Sequence, residues 1–210
     1  MRAGDALDSV LGVADQTLRT LFAPARSARW PDLPADDDRL TPGEKRHAAG
    51  LMRVNHAGEI AAQGLYRGQA ALSREPATRA FLERAAEEEA DHLAWCESRL
   101  RELGARPSRL NALWYLGSFG LGAAAALLGD AVSLGFMTET EAQVEGHLAG
   151  HLDRLPAADR RSRKIVEIMK TEESGHGEAA HARGAAELPR PIPSLMRAAA
   201  RIMTGTAYWL

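Results

Sequence analysis

Two glutamate–histidine pairs, each spaced three residues apart, interrupt what are otherwise apolar helical stripes, and this limits the possible folds of the 210-residue chain more than any other feature. Taken at intervals of three and four, one run reads Leu82, Ala85, Glu89, His92, Cys96, Leu100, Leu103, and a later one reads Val166, Met169, Glu173, His176, Ala180. Residues at such intervals share one face of a helix. Glu87, Glu88 and Asp91 lie off the first stripe. Two further stripes carry one glutamate each: Met52, Glu59, Ala62, Tyr66, and Met137, Glu141, Val144, Leu148, Leu152, Leu155. Glu59 precedes Glu89 by 30 residues and Glu141 precedes Glu173 by 32, so the chain reads as two helical hairpins of one design. An ionised carboxylate in a core is expensive unless it is paired or bound to a cation. Two divalent ions would balance four carboxylates, and two neutral imidazoles would each fill a coordination position without adding charge.

One glutamate from each of two helices and Glu-x-x-His from each of two others is the arrangement of ferritin-like carboxylate bundles that hold two iron or two manganese ions. The oxygen-rich shell disfavours copper and permits iron or manganese. The candidate ligands are therefore Glu59, Glu89, His92, Glu141, Glu173 and His176. Glu178 and His181 repeat the spacing, but their stripe includes Thr171 and Ser174 and reads as a polar face. Glu145 competes with Glu141, since it precedes Glu173 by 28 residues; its stripe, with Thr138 and Ala149, is less apolar. Tyr66, His147 and His151 are candidates for orienting the ligands from outside, with the two histidines equally readable as polar residues near the bundle mouth. Cys96, although on the ligand stripe, reads as a small core residue.

The rest of the chain fits an all-α fold. Ala, Leu, Arg and Glu dominate, and no window alternates with the period of a strand. Prolines divide the sequence into an N-terminal helix, a lead-in from Pro24 to Pro42, and bundle helices at roughly 43 to 73, 76 to 103, 135 to 155 and 157 to 187. Between the second and third lies the apolar stretch Leu110 to Phe136, whose centre, Ala112 to Leu128, is interrupted only by one serine, with Asp130 read as its stop. A helix of 17 residues reaches about 25 Å, short of the roughly 30 Å hydrocarbon layer. A buried or membrane-surface helix is expected there, and the tail Ile192 to Leu210, with Arg197 and Arg201 among apolar residues, suits an interface or, nearly as well, packing against the core. All of 1–210 is expected to form one domain. One cysteine excludes an intrachain disulfide and any Cys-rich metal site. A balance of 26 basic and 28 acidic residues argues against nucleic acid as a partner. The N-terminus, with Asp5 and Asp8, lacks the pattern of a secretory signal and reads as cytoplasmic.

Arg53-Val-Asn-His-Ala-Gly-Glu59, Leu65-Tyr-Arg-Gly-Gln69, Glu87-Glu-Glu-Ala-Asp-His92-Leu and Thr171-Glu-Glu-Ser-Gly-His176 resemble the demethoxyubiquinone hydroxylases of ubiquinone biosynthesis, over about residues 40 to 210. The resemblance implies six iron ligands at Glu59, Glu89, His92, Glu141, Glu173 and His176, which favours Glu141 over Glu145. It also implies a di-iron monooxygenase that hydroxylates the ring of a polyprenyl methoxy-methyl-benzoquinol with O2. Such a protein is expected on the cytoplasmic face of the inner membrane, bound peripherally, with biosynthetic partner proteins or copies of itself. The position after His147, a tyrosine in animal members, is Leu148, so no role of that tyrosine carries over. A ferritin-like iron store, or a manganese catalase or peroxidase, would use the same ligand set.

Overall fold

The computed structural model describes residues 3–35 and 39–210, with side chains from residue 11 onward. Among them every regular element is helical: α1 (Ala3–Phe22), α2 (Pro42–Leu72), α3 (Pro76–Glu102), α4 (Asn111–Leu127), α5 (Asp130–Arg154), α6 (Arg160–Ala182) and α7 (Pro191–Ala207). Residues 36–38 of the expected lead-in lie outside the described residues; the remainder of it carries no helix.

Local chemistry sets these boundaries. A capping box of Thr41 and Glu44 opens α2, with Pro42 in its first turn, where a missing N–H costs nothing. Pro76 does the same for α3. The third bundle helix begins at Asp130 rather than 135, and Asp130 starts an element where the sequence suggested a stop. The break is Gly129, whose φ of 110° a side chain would oppose. The Asp130 carboxylate then accepts from the backbone N–H groups of Arg74 (3.2 Å) and Glu75 (2.8 Å), tying the α2–α3 turn to the start of α5. The fourth bundle helix stops at Ala182, earlier than 187, before a left-handed glycine at Gly184.

Four helices, α2, α3, α5 and α6, enclose the core in two apolar layers. One holds Met52, Trp95, Cys96, Leu100, Leu148, Ile165, Val166 and Met169, and the other Leu65, Tyr66, Phe81, Leu82, Leu134, Met137 and Ala180. Along each helix the stripe passes from one layer to the other, and the glutamates and histidines lie between. The apolar helix α4 packs on α2 with almost no space between backbones. A side-chain carbon at Gly68 would overlap the Phe119 carbonyl, and one at Gly122 would overlap that of Leu65. Its outer face stays exposed.

His56 on α2 is 4% exposed, its ring nitrogen 3.5 Å from the Asn111 amide, and burial lowers its pKa to about 4. The unfolded chain takes up that proton near pH 6.5, so the stabilising contribution is full above pH 6.5 and is lost as pH falls towards 4. Between pH 7.5 and 4, the stability of His56→Leu relative to the parent chain is expected to rise by about 3 kcal/mol. Parallel denaturation midpoints across that range would contradict this account of His56.

Candidate metal centre

Each stripe delivers its polar residues to the layer between the two apolar clusters. Glu59, Glu89, Glu141 and Glu173 are all at most 3% exposed. Their ligand atoms gather in two groups, Glu59, Glu89, His92 and Glu173 in one, Glu89, Glu141, Glu173 and His176 in the other; within each group the atoms lie within 4.8 Å of one another. Glu89 and Glu173, the glutamates of the two Glu-x-x-His pairs, belong to both. Each group keeps one glutamate and one histidine of its own. All six sequence candidates thus meet at one place, and Glu145 is absent from both groups. Glu178 and His181 are exposed, as the polar stripe implied.

Both histidines turn Nδ1 inward and Nε2 outward. His92 Nδ1 lies 2.9 Å from Glu89 and 3.2 Å from Glu173, while its Nε2 bonds Glu172 at 2.7 Å. His176 Nδ1 lies 3.2 Å from Glu89, and its Nε2 bonds Glu88 at 2.6 Å. Each histidine is thus held by the glutamate that directly precedes the shared glutamate on the opposite helix. An acceptor on Nε2 fixes the proton there and leaves the Nδ1 lone pair for a metal. Glu88 and Glu172 were not singled out from the sequence; the duplicated Glu-Glu-x-x-His in 88–92 and 172–176 is the signal that carries them. Asp91, read as off the stripe, is 7% exposed, covered by the lead-in through Ser27, Ala28 and Arg29.

Tyr66 is fully buried and donates its hydroxyl hydrogen bond to Glu141. Burial, with the Glu141 charge beside it, pushes its pKa well up, so it remains a donor. His147 and His151 are placed otherwise. Their rings stand 4.0 Å apart beside a cavity of about 490 Å³ that is also lined by Leu51, Arg154 and Tyr208. Neither bonds any of the six, and burial keeps both neutral, with pKa values lowered to about 4 and about 2. Cys96 packs in the core, its sulfur 3.8 Å from that of Met169.

The electrostatics show what the cluster lacks. Burial, then the charges of Glu89 and Glu173, push the Glu59 carboxyl well above its ordinary range; burial and Glu173 do the same to Glu141. Burial also opposes charge on Glu89, Glu173 and the two histidines, but their mutual attraction outweighs it, holding both carboxyls down, His92 well up and His176 at about 11. Four carboxyls crowded into one buried layer thus call for positive charge between them, which two divalent ions would supply. Oε1 of Glu89, Oε1 of Glu173 and Nδ1 of His176 are buried with only the 3.2 Å ion-pair contacts and no well-directed hydrogen bond, and all three residues belong to the two groups. Buried polar atoms without such a bond are uncommon. The donor set, four carboxylates and two imidazoles, therefore fits a pair of oxygen-preferring divalent metals.

The chain is similar to known proteins along nearly its whole length. The 3-demethoxyubiquinol 3-hydroxylase of Bordetella pertussis is 57% identical over 211 residues, covering 100% of this chain and 95% of that protein. Its counterpart in Variovorax paradoxus is 57% identical over 203 residues (96% and 97%), and that in Chromobacterium violaceum 53% over 203 residues (96% and 98%). Residues 46–207, which contain all six gathered side chains, match the model of the ubiquinone biosynthesis protein COQ7, and the chain belongs to that family.

Proposed function

We infer that this protein hydroxylates the ring of a demethoxyubiquinol, a polyprenyl methoxy-methyl-benzoquinol, with O2 in ubiquinone biosynthesis. The iron pair it uses is held by Glu59, Glu89, His92, Glu141, Glu173 and His176 in a ferritin-like bundle formed by a single domain. The observation that carries this reading is the meeting of those six side chains as two groups sharing Glu89 and Glu173. Its relatives are named for the same reaction. A pair of ferrous ions bound there supplies the reduction of O2 that ring hydroxylation requires. Glu172 and Glu88 keep the imidazole protons on Nε2, and Tyr66 fixes the orientation of Glu141 by donating to it.

An isoprenoid substrate dissolves in a bilayer, and three exposed apolar faces support a peripheral seat on one. On α4 every exposed residue from Ala112 to Leu128 is Ala, Gly or Leu. On α7, Leu195 and Ile202 are 64% and 65% exposed beside Arg197 and Arg201; on α1, Leu18 and Phe22 are 58% and 75% exposed. Among the described residues no helix is long and apolar enough to cross a membrane. We therefore extend the reading to peripheral attachment at the cytoplasmic face of the inner membrane, with electrons delivered by a partner protein, by the quinol or by a bound reductant. Iron storage would use the same ligands but gives these faces no role.

The test is conversion of a demethoxyubiquinol by ferrous-loaded protein given O2 and a reductant, with the product identified by mass. Glu173→Gln is expected to reduce turnover to background and to lower iron content. Full activity of Glu173→Gln would remove that residue from the centre, and an iron-loaded parent protein that leaves the quinol unchanged would overturn the reading. A manganese pair with peroxide-consuming activity would establish the catalase alternative.

A further inference from the structure

The two histidines are held by matching glutamates, but their surroundings differ. The lead-in from Ala23 to Ala35 crosses from α3 to α6, the two helices that carry Glu-x-x-His. Its Ala25 N–H bonds Glu97 on α3 at 2.9 Å, and its Pro34 carbonyl accepts from Arg161 on α6 at 2.6 Å. Between these ends, Arg29 reaches both helices. Its Nε bonds Asp91 at 3.0 Å, and its two terminal nitrogens grip both oxygens of Glu172, Nη1 at 2.7 Å. Glu172 in turn holds His92. Trp95 completes the packing: its ring lies 5.1 Å from that of His92 and 5.3 Å from the Arg29 guanidinium, and its N–H bonds the Arg29 carbonyl at 2.8 Å. At the other histidine nothing corresponds. Among the described residues Glu88 is paired with His176 alone, and their side chains are 52% and 14% exposed, against 24% for Glu172 and 0% for His92.

We propose that Arg29 is a positioning residue that makes the two metal positions unequal: the Arg29–Glu172–His92 chain locks one ion in, while the ion at His176 exchanges with solvent first. This rests on the dinuclear reading above. A bidentate guanidinium–carboxylate pair has fixed geometry, so it holds Glu172 where His92 needs its acceptor, and His92, unlike His176, has no exposed surface. Substitution of outer partners of metal ligands typically changes affinity by roughly 10- to 100-fold.

The experiment is release of iron from anaerobic, ferrous-loaded protein into a coloured chelator. The parent protein is expected to lose its two ions in separate phases, the slower by at least about tenfold. Arg29→Ala should speed the slow phase roughly tenfold and leave the fast phase unchanged; Glu172→Gln should act on the same phase, and Glu88→Gln on the fast phase only. Arg29→Lys, which keeps the charge but not the fork, should fall between the parent and Arg29→Ala. A merely structural role for Arg29 would change both phases together and lower the melting temperature. A single phase in the parent protein, or an Arg29→Ala effect on both phases, overturns the proposal while leaving the metal centre standing. Failure to take up metal overturns the dinuclear reading and this inference with it.

Discussion

Replacing Glu89 by alanine is expected to empty both metal positions at once. Glu89 belongs both to the group with Glu59 and His92 and to the group with Glu141 and His176, so its loss leaves each group one carboxylate short. A change to an outer partner costs roughly 10- to 100-fold in affinity, and a ligand itself costs more. The parent protein should therefore carry about two ions per chain, and Glu89→Ala close to none after purification. Glu59→Ala and Glu141→Ala provide the contrast. Each glutamate belongs to one group, so each substitution should lower the metal content by about one ion. Elemental analysis of the four proteins, prepared in parallel, decides the matter. Wild-type content in Glu89→Ala, or complete loss in Glu59→Ala, would contradict the shared role of Glu89. Circular dichroism of the Glu89→Ala apoprotein is the folding control, because the substitution relieves Glu59 and Glu141 of a like charge but also takes an ion-pair partner from His92 and His176.

The six candidate ligands were legible in the sequence because a buried charge must break an apolar period, and the breaks at Glu59, Glu89, His92, Glu141, Glu173 and His176 fall on the apolar stripes of four helices. The residues that hold the ligands were not, because they sit on faces where polar residues need no explanation. Glu88 and Glu172 lie on the outer sides of α3 and α6, and only the meeting of the two helices shows that each caps the other's histidine. Arg29 is more remote still, in a proline-rich segment with no periodicity, 62 residues from Asp91 and 143 from Glu172. Spacing cannot reveal a contact made by a chain that has no repeat. His147 and His151, readable from the sequence either as outer partners of the ligands or as polar residues near the bundle mouth, lie beyond Glu141 on α5 and face a different cavity. Asp130 was misread as a stop because an acidic residue after an apolar run also suits a helix start, and the glycine before it makes the break.

Leu116→Asp with Leu121→Asp is expected to release the protein from membranes without disturbing the metal centre. The two leucines are 59% and 57% exposed on α4, and they stand among Leu113, Leu127 and Leu128, which are 58%, 62% and 73% exposed. Burying one fully exposed leucine is worth roughly 1.5–3 kcal/mol, and these two are a little over half exposed, so losing both removes about 2–3.5 kcal/mol of lipid contact, before the added cost of placing two carboxylates at the surface. At about 1.4 kcal/mol per tenfold, the partition onto vesicles should fall by at least about thirtyfold. The fold should tolerate the change, since α4 is held to α2 through the opposite face, where Gly64, Gly68 and Gly122 allow close backbone approach. Iron content therefore serves as the control, and activity towards a quinol with a shortened, water-soluble tail should survive while activity towards the long-tailed substrate falls. Vesicle flotation of the parent and double variant reads the effect directly. Equal flotation would show that α4 does not carry the attachment and leave α1 and α7 to be tested in the same way. Loss of iron together with flotation would show instead that the outer face of α4 supports the bundle.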